Sequence, residues 1–213
     1  PEKEAEDMIL EKSEILSKVK SHQDGFYYAS EKMKADKEVV MEAVKSDGSD
    51  LQWASEELKA DKEVVMEAVK SHQHAISYAS EELKADKEVV MAAIDYNVAA
   101  LEFASEEIKS DKEVVIAAVK LNADAFLLLS EELKADKEVV IEMLKHTRYG
   151  RSYGLYILSE EMKADKDVVI AAVKYDGSRL EDASEELKAD KEVVMAAVKS
   201  HNNAIYFASE ELK

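Results

Sequence analysis

The side chains best suited to chemistry are few in this 213-residue chain, and none of them assembles into a recognisable catalytic set. His72 and His74 are close enough in sequence to share an ion, but no third ligand accompanies them, and a zinc site needs three or four. His22, His72 and His201 occupy equivalent places in separate segments. Stacked helical units lie about 10 Å apart, so His22 and His72, two units apart, cannot meet on one metal. There is no cysteine, which excludes disulfides and thiolate ligation. Glu56 and Glu57 recur as a pair in nearly every repeat, as a solvated framework does and an acid–base dyad does not. The stretch GRSYG has two glycines but lacks the GK[ST] of a phosphate loop. Serine and histidine both occur, with nothing to place them as nucleophile and base. The chain therefore reads as non-enzymatic, with no catalytic residues, no metal ligands and no cofactor.

The residues that do stand out are recognition residues. All 14 aromatics, all five histidines, all three arginines and all five glycines fall in eight segments. These are SHQDGFYY, SDGSDLQW, SHQHAISY, YNVAALEF, LNADAFLL, the longer HTRYGRSYGLYI, YDGSRLED and SHNNAIYF. Between them the chain barely changes. A constant framework carrying variable Tyr, His, Arg and Asn is how binding surfaces are built, because these side chains give contact area and adaptable hydrogen bonds.

What holds these segments is an internal repeat. Units start at Ala29, Ala54, Ala79, Ala104, Leu129, Leu158, Ala183 and Ala208, with a spacing of 25 residues except for 29 between Leu129 and Leu158. Each unit predicts two helices. The first starts at an aspartate such as Asp61, a good N-cap, and buries Val64, Val65, Ala68 and Val69 while Glu63, Glu67 and Lys70 face away. The second follows a turn and runs, for example, LEFASEEIK, with Leu101, Ala104 and Ile108 as its core stripe. Helices of about ten residues are too short to stand alone, and stacking supplies their neighbours. The expected fold is all-α, an α-solenoid of 25-residue two-helix repeats forming a single domain over 1–213. Residues 1–28 are the N-terminal capping unit, 29–207 are seven repeats, and 208–213 are a partial one. In the cap, Glu14 and Lys18 replace apolar residues at the positions of Val39 and Ala43. The face that would meet a preceding unit has turned polar. The last segment, IYFASEELK, shows no such change, which suggests self-association through an uncapped C-terminal end.

Composition narrows the function. The net charge is −18, and most of it comes from SEELKADKEVV segments that carry four acids against two lysines. A solvated face that keeps the protein soluble accounts for this. A nucleic-acid binder needs a basic stripe instead, so no nucleic-acid partner is expected. No apolar run approaches the roughly 20 residues of a membrane span, and PEKEAEDMIL is too charged for a signal peptide. A cytoplasmic protein with no membrane partner is the expectation.

The unit LxYASEELKxDKEVVxxAVKxxG resembles the helical repeats of the domain-of-unknown-function family numbered four-one-one-six. Residues 29–213 carry the resemblance, most clearly in SEELKADKEVV and AAVK. It implies an all-helical repeat with an interaction role and brings no catalytic residues. This chain departs from the pattern at Leu129 and Leu158, where alanine is replaced, and in the four-residue insertion. The near-identity of the units also matches what a consensus-built or library-derived array would show.

Numbering the variable segment in columns sorts it further. The sixth column (Phe26, Leu51, Ile76, Leu101, Phe126, Leu155, Leu180, Ile205) is always apolar and is assigned to the core. The eighth (Tyr28, Trp53, Tyr78, Phe103, Leu128, Ile157, Asp182, Phe207) is mostly apolar and is assigned to packing. Columns one to four lie in the turn and column seven points outward, making one edge. The segment 146–157 collects Arg148, Tyr149, Arg151, Tyr153 and Tyr156, with forked donors for an acidic group and flat contact area beside them. With Tyr96, Tyr175, Arg179 and His72 these are the candidate partner contacts. The expected function is a scaffold binding a protein or peptide along this edge. The alternatives are a structural or end-to-end assembling solenoid and, against the charge, a one-unit-per-base reader. The assigned core face has a direct check. Val114→Glu should cost several kcal/mol, as an unpaired buried charge does; an unchanged melting temperature would contradict the face.

Overall fold

The computed structural model describes residues 2–21, 26–146 and 154–213. Among them there are helices and turns but no strand, and the fold is an all-α tandem repeat of the solenoid class. The chain divides into two compact units, Pro1–Val114 and Val115–Lys213. Among the described residues no helix is long and apolar enough to cross a membrane.

The long helix of each repeat forms as its sequence predicts. In Lys62–Val69 the Asp61 carboxylate accepts the amides of Glu63 and Val64, satisfying donors that the first turn leaves free. Val64, Val65, Ala68 and Val69 are all buried, whereas Glu63 and Lys70 are exposed. In the first unit Glu2–Lys20 packs on Lys37–Ser46, that helix on Lys62–Val69, and that one on Lys87–Tyr96. In the second, Lys137–His146, Lys166–Tyr175 and Lys191–Ser200 follow one another in the same way. Val39, Val64, Val89 and Val114 are fully buried. Glu14, in the same column, keeps 65% of its side chain exposed and pairs with Lys18 at 2.6 Å, so the polar replacement falls on an open face as expected. The Glu2–Lys20 helix runs unbroken where every later repeat is interrupted. Glu11 stands there in place of the capping aspartate, and glutamate is a better helix former than cap.

The second helix of the repeat differs from the sequence expectation. LEFASEEIK is two pieces: a 3₁₀ helix, Val98–Phe103, and a short α-helix, Glu106–Ser110. Between them Ala104 is extended, with φ −68° and ψ 160°. Leu101, Ala104 and Ile108 are buried as predicted, but from both sides of a break. The break has a clear cause. The Ser105 hydroxyl accepts the Ile108 amide and so starts a new helix, and the Ser105 amide donates to the Lys84 carbonyl one repeat earlier, at 3.0 Å. The same bond joins Ser55 to Lys34 and Ser80 to Lys59, each at 2.9 Å, and in the second unit Ser184 to Lys163 at 3.1 Å and Ser209 to Lys188 at 2.9 Å. At the N-terminal end the Ser30 amide instead donates to the Glu11 carboxylate. A continuous helix would have spent that amide within its own chain segment.

The 3₁₀ pieces form a second row in each unit. Gly48–Trp53 packs on Ala75–Tyr78, and Ala75–Tyr78 on Val98–Phe103; in the other unit Leu155–Ile157 packs on Gly177–Asp182, which packs on Asn202–Phe207. The sixth column is buried from Phe26 to Leu180 and half-buried at Ile205. Close approach selects glycine where a turn meets the next long helix. A Cβ on Gly48 would lie 2.1 Å from the Ala68 carbonyl oxygen, and one on Gly177 would lie 2.2 Å from that of Ala197.

The serine amide can be tested separately from the serine hydroxyl. Ser80 has φ −61° and follows Ala79 with ψ 160°, a backbone that proline accepts. Ser80→Ala removes only the cap and should cost about 0.5–2 kcal/mol. Ser80→Pro also removes the amide and should be less stable than Ser80→Ala by a further ~1 kcal/mol. Equal urea midpoints for the two variants would show that the bond between repeats contributes nothing.

Candidate binding surface

The variable segments are less free than their sequences suggest. Column two caps the 3₁₀ helix in most repeats. The side chain of Asp47 accepts the amide of Ser49, Asn97 that of Ala99, Asn122 that of Asp124, and Asp176 that of Ser178. His72 acts similarly through Nδ1, accepting the His74 amide at 3.2 Å. His72 is half-buried, so this candidate partner contact is occupied in holding its own turn. A readable signal existed, because the described column contains only Asp, Asn and His, all short side chains with an acceptor. Column one divides in a similar way. The Ser46 and Ser71 hydroxyls donate to the Val19 and Val44 carbonyls of the preceding repeat, whereas Tyr96, Leu121 and Tyr175 at the same position are exposed.

Exposure picks out what remains. Ten large apolar side chains are exposed among the described residues, and all except Met195 lie in columns one, seven and eight. In the first unit Tyr28 is 78% exposed and Tyr27 47%. The Tyr27 ring meets Tyr28 edge-on at 4.7 Å and Trp53 at 4.6 Å. Trp53, Tyr78 and Phe103 are half-buried, with the His74 ring against Phe103 at 5.4 Å. Column eight thus flanks the core, half-buried at Trp53, Tyr78, Phe103, Ile157, Asp182 and Phe207, and opens to the surface at Tyr28 and Leu128. Each 3₁₀ helix is only a turn or two long, so the ring two residues past the buried sixth-column side chain reaches the rim instead of the interior. In the second unit Leu127, Leu128, Tyr156 and Tyr206 are exposed, and Glu181 and Asp182 interrupt the apolar row.

The other candidate contacts fall as follows. Arg148, Tyr149, Arg151 and Tyr153 lie outside the described residues. Tyr156 is exposed, and its ring flanks Gly154 together with Arg179: a Cβ there would sit 3.5 Å from Tyr156 Cδ1 and 3.9 Å from Arg179 Nε. Arg179 is half-buried and donates through one terminal nitrogen to the Leu144 carbonyl at 3.4 Å. That carbonyl lies in the last turn of Lys137–His146, where carbonyls need donors, so Arg179 has a structural role beside any contact with a partner. Tyr96 and Tyr175 are exposed near the C-terminal ends of their helices. Leu129, Leu158 and Met143, the enlarged residues around the insertion, are all buried. Among the described residues no group of three or more His, Asp or Glu could hold a metal ion.

The framework carries a charge ladder where its composition suggests only a solvated face. The lysine after a capping aspartate reaches forward one repeat at Lys37, Lys62, Lys87, Lys137 and Lys166. Lys37 meets Asp61 and Glu63, both at 2.8 Å, and Lys62 meets Asp86 and Glu88, both at 2.8 Å. In the second unit Lys166 meets Asp190 and Glu192, both at 2.9 Å. The Lys62 ammonium, aided by the amides of Val89 and Glu88, holds the Asp86 carboxyl below the usual carboxylate range against the opposing effect of partial burial. Asp86 and Glu88 raise Lys62 in return.

The family model described as a domain of unknown function, DUF4116, matches residues 14–59, 36–84, 61–109, 86–134, 111–163, 136–186 and 165–213. Each match spans about two repeats, and together they cover nearly the whole chain. The chain belongs to this family. Comparisons with curated proteins and with solved structures give no match.

The ladder sets a pH dependence. Asp86 is lowered on folding, so its contribution is present above the unfolded value of about 3.9 and is lost as pH falls through the folded value. Serine caps helices as well as aspartate does, so Asp86→Ser removes the charge and keeps the cap. The parent chain should melt above Asp86→Ser at pH 7, and the gap should close by about pH 2. A gap that persists in acid would assign the difference to the cap and not to the ion pair.

Proposed function

We propose that the chain is a non-enzymatic helical-repeat scaffold that binds a protein or peptide partner through the exposed rings and aliphatic side chains of its 3₁₀ turns. The observation that carries this reading is the confinement, among the described residues, of exposed large apolar side chains, Met195 apart, to columns one, seven and eight. Single exposed apolar residues are ordinary, but clustered ones mark interaction surfaces. The cluster of Tyr27, Tyr28 and Trp53 is the best-formed example. Tyrosine and tryptophan supply rigid contact area at low entropic cost, and Tyr27 and Trp53 already brace one another edge-on.

Trp53 is the only tryptophan, which gives the cluster its own optical probe. Peptides selected from a random display library on the folded chain should shift Trp53 emission on binding. Tyr27→Ala combined with Tyr28→Ala should weaken them at least tenfold, about 1.4 kcal/mol, with little change in melting temperature because both side chains are exposed. Selected peptides that bind the double variant as tightly as the parent would refute the proposal. A sedimentation coefficient that climbs with protein concentration would support the assembling alternative instead.

A further inference from the structure

In the second unit a surface groove of about 380 Å³ lies between Lys166–Tyr175 and Lys191–Ser200. Ile170, Met195 and Ala196 give it an apolar lining, and Lys174 and Lys199 stand at its edge. Met195 is the one exposed large apolar side chain outside the turn columns among the described residues, at 56%. The groove therefore belongs to a different face from the turn row, and its function does not depend on that row.

The position three residues before the last lysine of the long helix takes two forms, Glu42, Glu67 or Glu142 in some repeats and Ala117, Ala171 or Ala196 in others. Lys45 pairs with Glu42 at 3.3 Å, Lys70 with Glu67 at 3.5 Å, and Lys145 with Glu142 at 2.6 Å. Those partners stand three residues earlier on the same helix. In the two helices that border the groove this residue is Ala171 or Ala196, and among the described residues Lys174 and Lys199 have no carboxylate within 4.0 Å. Glu192, the one acid lining the groove, is engaged by Lys166 at 2.9 Å. The result is an apolar groove bordered by two cations without partners, in a chain of net charge −18. With a screening length of about 8 Å at physiological ionic strength, a ligand in the groove responds to these lysines more than to distant acids.

We infer that this groove is a second binding site, and that its occupant is an acidic peptide segment carrying bulky apolar side chains. The apolar side chains cover Ile170 and Met195, and carboxylates replace the partners that Lys174 and Lys199 lack. Neighbouring helices are about 8–10 Å apart, so the two cations address separate carboxylates of one segment and not a single anion.

The probe is the peptide acetyl-Glu-Glu-Leu-Leu-Glu-Glu-amide with a fluorophore, titrated with the full chain and read by anisotropy. It should bind, and replacing its four glutamates by glutamines should weaken it at least tenfold. Replacing its leucines by serines should do the same. Lys174→Ala with Lys199→Ala should weaken binding at least tenfold. So should Ala171→Glu with Ala196→Glu, which restores the intramolecular partners found in other repeats while leaving both lysines in place. Lys174 and Lys199 are exposed and Ala171 and Ala196 half-buried, and circular dichroism verifies that the variants remain folded. No binding to the parent chain, equal affinity for the glutamine peptide, or unchanged affinity in both double variants overturns the proposal. Loss of binding in the Tyr27→Ala, Tyr28→Ala variant would move the peptide to the turn row and likewise overturn it, while leaving the proposed function standing.

Discussion

At Ser55, Ser80, Ser105 and Ser184 one serine satisfies two neighbours at once, and much of the architecture follows from how it does so. Its backbone is extended, its amide is given to the lysine carbonyl of the preceding repeat, and its hydroxyl caps the helix that follows. A helix that ran through this point would keep the serine amide for itself and leave the earlier lysine carbonyl, at a helix end, without this donor. The break is therefore part of the stacking. Within each compact unit it ties one repeat to the next at a fixed place, which helps repeats only 25 residues long hold register although neither of their helices is stable alone.

The charge ladder repeats the same logic on the outside. Lys37, Lys62, Lys87, Lys137 and Lys166 each bridge to the capping aspartate and the following acid of the next repeat, so that carboxylate serves its own helix and its neighbour together. Rungs of this kind are exposed, and each contributes modestly. Lys174 and Lys199 lack the acid that pairs with Lys45, Lys70 and Lys145, because alanine stands in its place. Charge left over in this way is available to a ligand.

The turns show how variation and constraint share one segment. Capping residues in column two and small or glycine residues facing a neighbouring backbone are dictated by the 3₁₀ geometry. Tyr27, Tyr28, Tyr156 and Tyr206 are not, and they point their rings toward solvent. Separating these two kinds of variable position turns a loosely defined edge into particular side chains with measurable exposure.

The sequence alone determined the all-helical class, the repeat boundaries, the aspartate caps and the buried valine and sixth-column residues. Each is decided within one repeat by spacing and by hydrogen bonds over three or four residues. It also placed Glu14 correctly on an open face, because a charge in an otherwise apolar column is tolerated only where that column meets water. Tertiary structure alone decided the interruption at Ala104–Ser105, the forward reach of Lys37 and Lys62, and the structural commitments of His72 and Arg179. In every one of these the partner lies more than 20 residues away or is set by a turn shape that neighbouring repeats impose. LEFASEEIK has the periodicity of one helix, and it is two because the Ser105 amide gains more from the Lys84 carbonyl of the repeat before than from continuing its own helix.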